Sequence, residues 1–281
     1  MNQNFRWEWE LSANTKKINL GLKELWQYRG LIQSFARKEL IAGYQQTIMG
    51  LSWLVIQPIL TTLFYLLVFG RIVKVSTDGI PPLLFYMSGS LLWSFFSDCL
   101  TGTMYTFKHN AHIFSKVYFP RLVVPISMIG SHIFRFTIQF LLFILIYLYY
   151  WISGIVHPSI FIFWLPIVLL ATVALGMGLG MIISIYLARY NDLEPFMNFF
   201  LRLLMFVTPV VYPASIIPKG YKFLLWANPL TPFMEYFKAG FFFTKPVIIN
   251  YFFISIFITC IIFFCGLIYF KKKELSVMDT I

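Results

Sequence analysis

Long unbroken apolar runs constrain this sequence of 281 residues more than any other feature. A hydrocarbon core about 30 Å thick requires roughly 20 apolar residues in a single helix. Backbone groups surrounded by lipid must pair within their own segment, so each sufficiently long run is predicted to be a helix and not a barrel strand. The six predicted spans are Leu51–Gly70, Ile80–Thr101, Leu122–Trp151, Ser159–Leu187, Pro195–Tyr212 and Val247–Phe270.

The composition indicates the same class. Apolar residues make up 59% of the chain and charged residues only 12%, whereas soluble domains contain about 45–50% and 25%. The sequence therefore predicts an all-α polytopic membrane protein with six transmembrane helices. The net charge of +11 comes mainly from basic residues that flank the apolar runs. Orientation in an anionic bilayer explains this better than nucleic-acid binding, which we do not expect.

Lysine and arginine are distributed unevenly between the two sides of the predicted bundle. If the N-terminus is cytoplasmic, the cytoplasmic segments hold fourteen of these residues and the outer segments hold six. The excess of positive charge on the cytoplasmic side predicts that both termini are cytoplasmic.

Three segments outside the spans have patterns of their own. Leu22–Tyr44 mixes apolar and charged residues near helical spacing, which predicts an interfacial amphipathic helix or, alternatively, a helix packed on a partner. Gly102–Arg121 is predicted to be a cytoplasmic loop with a short helix. Pro213–Pro246 is apolar but broken by proline and glycine, which predicts two short helices that re-enter the outer side of the membrane.

These patterns divide the chain into three parts. Residues 1–45 form a cytoplasmic N-terminal segment, residues 46–275 form the six-helix membrane domain, and residues 276–281 form a short cytoplasmic tail.

Phosphate-binding and metal-binding motifs are weak or missing in the sequence. A phosphate-binding loop of the G-x-x-x-x-G-K-[ST] type does not occur, so ATP hydrolysis by that route is not expected. The repeated glycines Gly176, Gly178 and Gly180 lie inside a predicted span, where small residues pack helices together. His109 and His112 have helical spacing but no acidic partner nearby, and we expect neither a metal nor a cofactor there.

Acidic pairs are equally scarce. Asp192 and Glu194 are close in one short loop, where a role at the start of a helix is simpler than acid–base catalysis. Arg135 and Arg202 lie inside predicted spans, where a charge is costly. Each either extends to the cytoplasmic interface or occupies a polar interior, and the sequence leaves both interpretations open.

Three groups of residues resemble one known family, the type-2 ABC exporter permeases for polysaccharides. The segment leading into the first span resembles that family through Phe35-Ala36-Arg37-Lys38-Glu39-Leu40 and Tyr44-x-x-Thr47-x-x-Gly50-x-x-Trp53-x-x-x-x-Pro58. The segment before the third span is similar through Phe114-x-Lys116-x-x-Phe119-Pro120-Arg121. The end of the fifth span and the outer loop are similar through Thr208-Pro209-Val210-x-Tyr212-Pro213 and Asn228-Pro229-Leu230-Thr231-Pro232.

The resemblance implies a homodimer of this chain in the cytoplasmic (inner) membrane, with two copies of a separate ATP-binding ABC subunit. ATP would be bound by that partner. The substrate would be a lipid-linked polysaccharide, with O-antigen the first expectation and capsule or teichoic acid the alternatives. One departure is Lys238, at a position that often carries arginine in the family; a lysine lacks the bidentate fork for phosphate.

The resemblance also implies roles for individual residues. The residues of the expected ATPase-coupling loop are His109, His112, Phe114, Lys116, Phe119 and Arg121. The candidate channel or gate residues are Trp53, Arg202, Tyr212, Trp226 and Phe233.

Two other functions compete with transport driven by a partner. A membrane glycosyl or acyl transferase acting on polyprenyl-linked sugars would need a carboxylate or histidine constellation at the membrane surface. A carrier driven by ions would need intramembrane acids and repeated halves. The sequence shows no convincing example of any of these features.

Overall fold

The computed structural model describes residues 22–45, 47–114, 116–117, 119–243 and 249–278. Within these ranges the chain is all-α, as predicted. Short 3₁₀ turns precede some of the helices, and a π-helical turn extends α3 to Ile72. The α-helices are α1 (Leu22–Gln27), α2 (Arg29–Ala42), α3 (Trp53–Tyr65), α4 (Pro82–Met104), α5 (Thr106–Phe114), α6 (Val123–Ile152), α7 (Leu165–Leu187), α8 (Leu193–Val207), α9 (Lys222–Ala227), α10 (Leu230–Phe242) and α11 (Ile249–Met278).

In the described part of the chain, five helical runs are long and apolar enough to cross a membrane. They are Gly50–Ile72, Pro82–Phe114, Val123–Ile152, Ile160–Leu187 and Ile249–Glu274. These runs coincide with five of the six predicted spans. The other predicted span, Pro195–Tyr212, forms the 15-residue α8, which is about 22 Å long at 1.5 Å per residue. A sixth crossing therefore stays a prediction.

The glycines of α7 allow close helix packing, as predicted. A Cβ on Gly176 would lie 2.9 Å from the Cβ of Cys99 on α4, and a Cβ on Gly178 would lie 2.7 Å from the Cα of Phe263 on α11. Real Cβ atoms do not approach other atoms this closely. The small residues thus let α7 lie against α4 on one side and α11 on the other.

The end of the bundle away from α5 is held by aromatic side chains between α6 and α10. The ring centroid of Phe143 lies 5.0 Å from that of Phe241 and 6.1 Å from that of Phe237. The hydroxyl of Tyr147 donates to the backbone oxygen of Phe241 at 2.9 Å. Because both contacts come from α6, α10 is fixed to the core and is not a loose surface helix.

The structure adds detail at two places. The helix predicted over Leu22–Tyr44 is two helices, because the chain breaks at Tyr28 between α1 and α2. In the outer segment, Pro229 lies between α9 and α10, but Pro232 lies in the first turn of α10. A proline is tolerated there because the backbone N–H groups of the first turn have no partner within the helix. Two short helices therefore occupy this segment, while their entry into the membrane stays a prediction.

Candidate functional site

The predicted coupling loop begins where the second span ends. After a break at Tyr105, α5 continues the helical run for nine residues. The side chains of His109, His112 and Lys116 are exposed. They form a mostly basic surface at the end of the bundle, and we call this surface the α5 face.

Two aromatic residues expected in the coupling loop point inward instead. Phe114 is 6% exposed and Phe119 is 3% exposed. Their rings lie 5.4 Å apart, and the Phe119 ring lies 5.9 Å from Phe35 on α2. Burial of apolar surface stabilises this arrangement. These two residues support the loop from within, and a direct contact of either with a partner stays a prediction.

Arg121 is half-buried at the end of the same loop. It lies beside Leu122, which is buried just before α6 begins.

The α5 helix is also tied to α8. The Nζ of Lys108 donates to Oε2 of Glu194 at 2.5 Å, and the hydroxyl of Tyr105 donates to Oδ1 of Asn198 at 3.3 Å. The hydrogen bond from Lys108 lowers the pKa of the Glu194 carboxyl. These two contacts connect α5 with α8.

A polar cavity of about 150 Å³ lies among the helices above the α5 face. Asp98 of α4 and Arg135 of α6 both border it, and the guanidinium carbon of Arg135 lies 5.5 Å from the ring centroid of Tyr44. The cavity is lined by Tyr44, Gln57, Pro58, Thr61, Met87, Ser90, Leu91, Ser94, Asp98, Arg135 and Gln139. Of the two interpretations of Arg135, this position supports a polar interior.

A second polar cavity, of about 220 Å³, shares Asp98 and Arg135 with the first. It extends toward α5 and includes Glu39 and His132 among its lining residues. His132 is 5% exposed, and neither of its ring nitrogens has a hydrogen-bond partner among the described residues. The two cavities together place polar groups in the half of the bundle that is nearer to α5.

The sequence analysis missed Asp98 as a site residue. The available signal was an acidic side chain within a predicted span, and its position near the end of that span made it look interfacial. The structure instead brings it beside Arg135, which comes from a different helix.

The predicted channel and gate residues differ in their exposure. Trp53 is 36% exposed on α3, and Arg202 is exposed on α8. Tyr212 is half-buried, and its hydroxyl donates to the backbone oxygen of Phe206 at 2.8 Å, which secures the end of α8. Phe233 is fully buried, 6.0 Å from the ring of Phe252. Phe233 is therefore a packing residue of the single chain, and a gate role for it stays a prediction.

Trp226, the fifth candidate of that group, belongs to α9, but its side chain lies outside the described residues.

Lys238 has a structural contact in place of an exposed anion site. Its side chain is 3% exposed, and its Nζ donates to the backbone oxygen of Pro209 at 2.6 Å. The same nitrogen lies 4.0 Å from the ring centroid of Phe85, within the range of a cation–π interaction. Lys238 thus joins α10 to the end of α8 and to α4.

A family model of ABC-2 type transporters matches residues 30–242, which is most of the chain. The chain belongs to the ABC-2 type transporter family. As a member of that family it is a transport subunit and not itself an enzyme, and it works with an ATP-binding ABC partner.

Alignments with similar proteins of described function cover most of this ABC-2 permease. An O-antigen export system permease protein of Klebsiella pneumoniae is 28% identical over 71% of this chain and 75% of its own length. A protein of the same description from Myxococcus xanthus is 28% identical over 74% of this chain and 79% of its own length. A polysialic acid transport protein of Escherichia coli is 23% identical over 71% and 76%, respectively.

Proposed function

We propose that this ABC-2 permease forms the membrane path of an ATP-driven exporter for lipid-linked polysaccharide, with O-antigen as the substrate. The main support is the match to O-antigen export permeases across about three quarters of their length. The more distant match, to a polysialic acid transport protein, indicates the same broad class of polymer. ATP would be bound by the partner subunit.

The proposed assembly is a homodimer that meets along α3 and α8. Both helices leave large apolar side chains uncovered, and the hydroxyl of Tyr65 on α3 lies 3.3 Å from the sulfur of Met205 on α8, so their surfaces are continuous. The exposed members of this surface, which we call the α3/α8 face, are Leu60, Leu63, Phe64, Leu67, Phe196, Phe199, Leu203 and Phe206.

A charge on the α3/α8 face favours a channel there over contact with lipid alone. Arg202 is exposed beside Leu203, on the helix that also presents Phe199. A cation facing hydrocarbon costs at least about 2.5–3.5 kcal/mol. A water-filled path between two copies would hydrate Arg202, and Trp53 would present an aromatic surface to sugar rings at the cytoplasmic end of the same face.

The α5 face is the proposed docking site for the ATP-binding subunit. It exposes His109, His112 and Lys116, while Phe114 and Phe119 brace it from inside. A permease dimer presents two such faces, which accounts for two ATP-binding subunits. The excess of lysine and arginine on the α5 side supports an inner-membrane orientation with both termini cytoplasmic.

Crosslinking with single cysteines tests the assembly in the presence of the ATP-binding subunit. We expect His112→Cys to crosslink to that subunit and Phe64→Cys to crosslink between two permeases. Arg189→Cys, in the other cytoplasmic loop, and Phe257→Cys, on the exposed side of α11, are matched controls. Crosslinks that form only from the two controls would overturn the proposed docking face and dimer.

Export itself has a separate test. Deletion of this chain should trap lipid-linked polysaccharide on the cytoplasmic side, and re-expression should restore the polymer at the cell surface. Normal surface polysaccharide in the deletion strain would contradict the proposed function.

A further inference from the structure

A third cavity lies at the opposite end of the bundle from α5 and is separate from the α3/α8 face. Its volume is about 470 Å³, within the range of sites that bind small molecules. Its walls come from the loop between α3 and α4, the first turn of α4, the loop between α6 and α7, the segment after α8, and the second half of α10 with the residue that follows it. We call it the outer cavity.

The outer cavity contains a carboxylate without a protein partner. Glu235 of α10 lines the cavity, and among the described residues its carboxylate makes no hydrogen bond or ion pair. Burial raises the pKa of the Glu235 carboxyl, and this outweighs the opposite effect of Lys238. Glu235 is partly exposed, and its carboxylate is available as a hydrogen-bond acceptor at the cavity. A ligand with hydroxyl donors would satisfy it.

A second carboxylate is held at the rim of the outer cavity. The Oγ of Ser215 donates to Oδ2 of Asp78 at 2.7 Å, which fixes Asp78 against the segment that follows α8. The only buried cation among the lining residues, Lys238, is already bonded to the backbone oxygen of Pro209. The cavity therefore has two carboxylates, of Asp78 and Glu235, against the one ammonium group of Lys238, and the formal charge of these three groups is negative.

Aromatic rings form the apolar part of the outer cavity. Phe85 and Phe242 are buried in its wall, whereas Phe243 is 74% exposed at its edge. Phe243 also has a left-handed backbone, with a φ of 51°, which a non-glycine residue adopts only when its surroundings require it. The residue that follows α10 thus places a large ring at the edge of the cavity that Asp78 and Glu235 also line.

Carboxylate acceptors beside an aromatic ring match the chemistry of a sugar. A pyranose has hydroxyl donors around its edge and apolar C–H groups on its faces, so the edge hydrogen-bonds to carboxylates while a face packs on a ring. The negative charge of the outer cavity would repel carboxylated sugars. We propose that the outer cavity is a second carbohydrate site, which holds neutral sugar units of the exported polymer as they leave the transporter.

This inference rests on the proposed function for its choice of ligand class, but binding is tested on the purified permease alone. Saturation-transfer NMR on detergent-solubilised protein would compare mannotriose, a neutral probe, with a linear trimer of sialic acid, an anionic probe. We expect mannotriose to bind with a Kd on the order of 1 mM and the anionic trimer to bind at least about tenfold more weakly.

Substitutions of lining residues test whether mannotriose binds in the outer cavity. Glu235→Gln and Phe243→Ala should each weaken mannotriose binding by about tenfold. Phe223→Ala is the matched control, because Phe223 is an exposed ring of the outer segment that does not line the cavity. Absence of mannotriose binding to the wild type, equal binding of the two probes, or unchanged binding in both cavity variants would overturn the proposal.

A second measurement covers the case in which a cavity variant does not fold. His157 is exposed and lines the cavity, so His157→Cys can carry a maleimide label in a background lacking Cys260 and Cys265. We expect the label to block mannotriose binding, and full binding to the labelled protein would contradict the site. A strain that exports polysaccharide although the purified permease binds no probe would retain the proposed function and refute only the outer site.

Discussion

A comparison of the first and second spans shows that the more apolar span is not the more buried one in this protein. The most apolar stretch of the second span has a mean hydropathy of 1.2 and is 78% buried, whereas that of the first span has a mean hydropathy of 1.9 and is only 11% buried. Lipid solvates an apolar side chain as well as another helix does. Burial in a membrane therefore follows polar and small residues, and the least apolar span becomes the core.

The polar residues of the second span explain its central position. Ser88 and Ser90 lie in α4 and donate to backbone oxygens of their own helix, at 2.9 and 3.1 Å. The carboxylate of Asp98 instead borders both of the polar cavities that lie toward α5. The first span has a large uncovered apolar surface instead, which suits a face shared with a second copy.

Tight packing on the second span should make it far more sensitive to added volume than the first. A Cβ on Gly180 would lie 2.6 Å from the Cβ of Thr103 and 2.8 Å from the backbone oxygen of Leu100. We expect Gly180→Val to destabilise the permease by about 3 kcal/mol, measured as a lower melting temperature in detergent. Leu60→Ala, at a position on α3 that is 54% exposed, should leave the melting temperature of the monomer nearly unchanged.

The opposite order would break the comparison. If Leu60→Ala lowered the melting temperature more than Gly180→Val, the first span would be a core element of the single chain, and its exposed face would not be available to a second copy.

Removal of one charge from the pair Asp98 and Arg135, which line both polar cavities near α5, should have the next largest effect on stability. Arg135→Met leaves Asp98 without its neighbouring cation, and we expect a loss below the roughly 3–5 kcal/mol typical of a dry buried pair, because the cavity is polar. Replacing both groups, as in Asp98→Asn with Arg135→Met, should recover part of this loss. The exposed Arg202→Met is the matched control, measured by thermal unfolding in detergent. A double variant less stable than Arg135→Met would refute the coupling between the two groups.

The sequence was sufficient for features that depend on composition along one helix. Apolar runs located five spans, and the small residues of α7 identified a packing helix because glycine permits close approach whichever neighbour is present. Each of these predictions is independent of how a helix is rotated about its axis.

The features that the sequence did not predict depend on how each helix is rotated about its axis. Phe114 and Phe119 lie in a motif expected to contact the ATP-binding partner, but they are turned into the bundle. Asp98 and Arg135 belong to different helices and meet only through the packing of α4 with α6. A residue type predicts what a side chain can do, and the neighbouring helices determine which side chains face each other.

The contact between α10 and the second span should depend on pH. Burial lowers the pKa of Lys238 from its ordinary value of 10.5 to about 8. Between these values the unfolded chain binds more protons than the native protein, so stability should rise as the pH increases through this window. Melting temperatures measured from pH 8 to 10.5 should show this rise in the wild type and a smaller one in Lys238→Met. The exposed Lys74→Met should keep the wild-type slope, and an equal slope in both variants would contradict the assignment to Lys238.

The smallest effect is expected where the second span is tied to α8, which carries half of the α3/α8 face. Lys108 and Glu194 are both partly exposed, with side-chain exposures of 28% and 34%, so solvent weakens their contribution to stability. Because the hydrogen bond from Lys108 lowers the pKa of Glu194, the tie is present above the ordinary glutamate pKa of 4.5 and is lost as the pH falls through the native value. Glu194→Gln should therefore leave the melting temperature nearly unchanged at neutral pH.

The same substitution should still speed hydrogen exchange in α5, because a helix of nine residues has little stability of its own and depends on its contacts. The exposed Asp192→Asn, two residues earlier, should leave that exchange unaltered. Equal exchange in all three proteins would show that α5 is held by its aromatic contacts alone, and that α8 receives no signal through this pair.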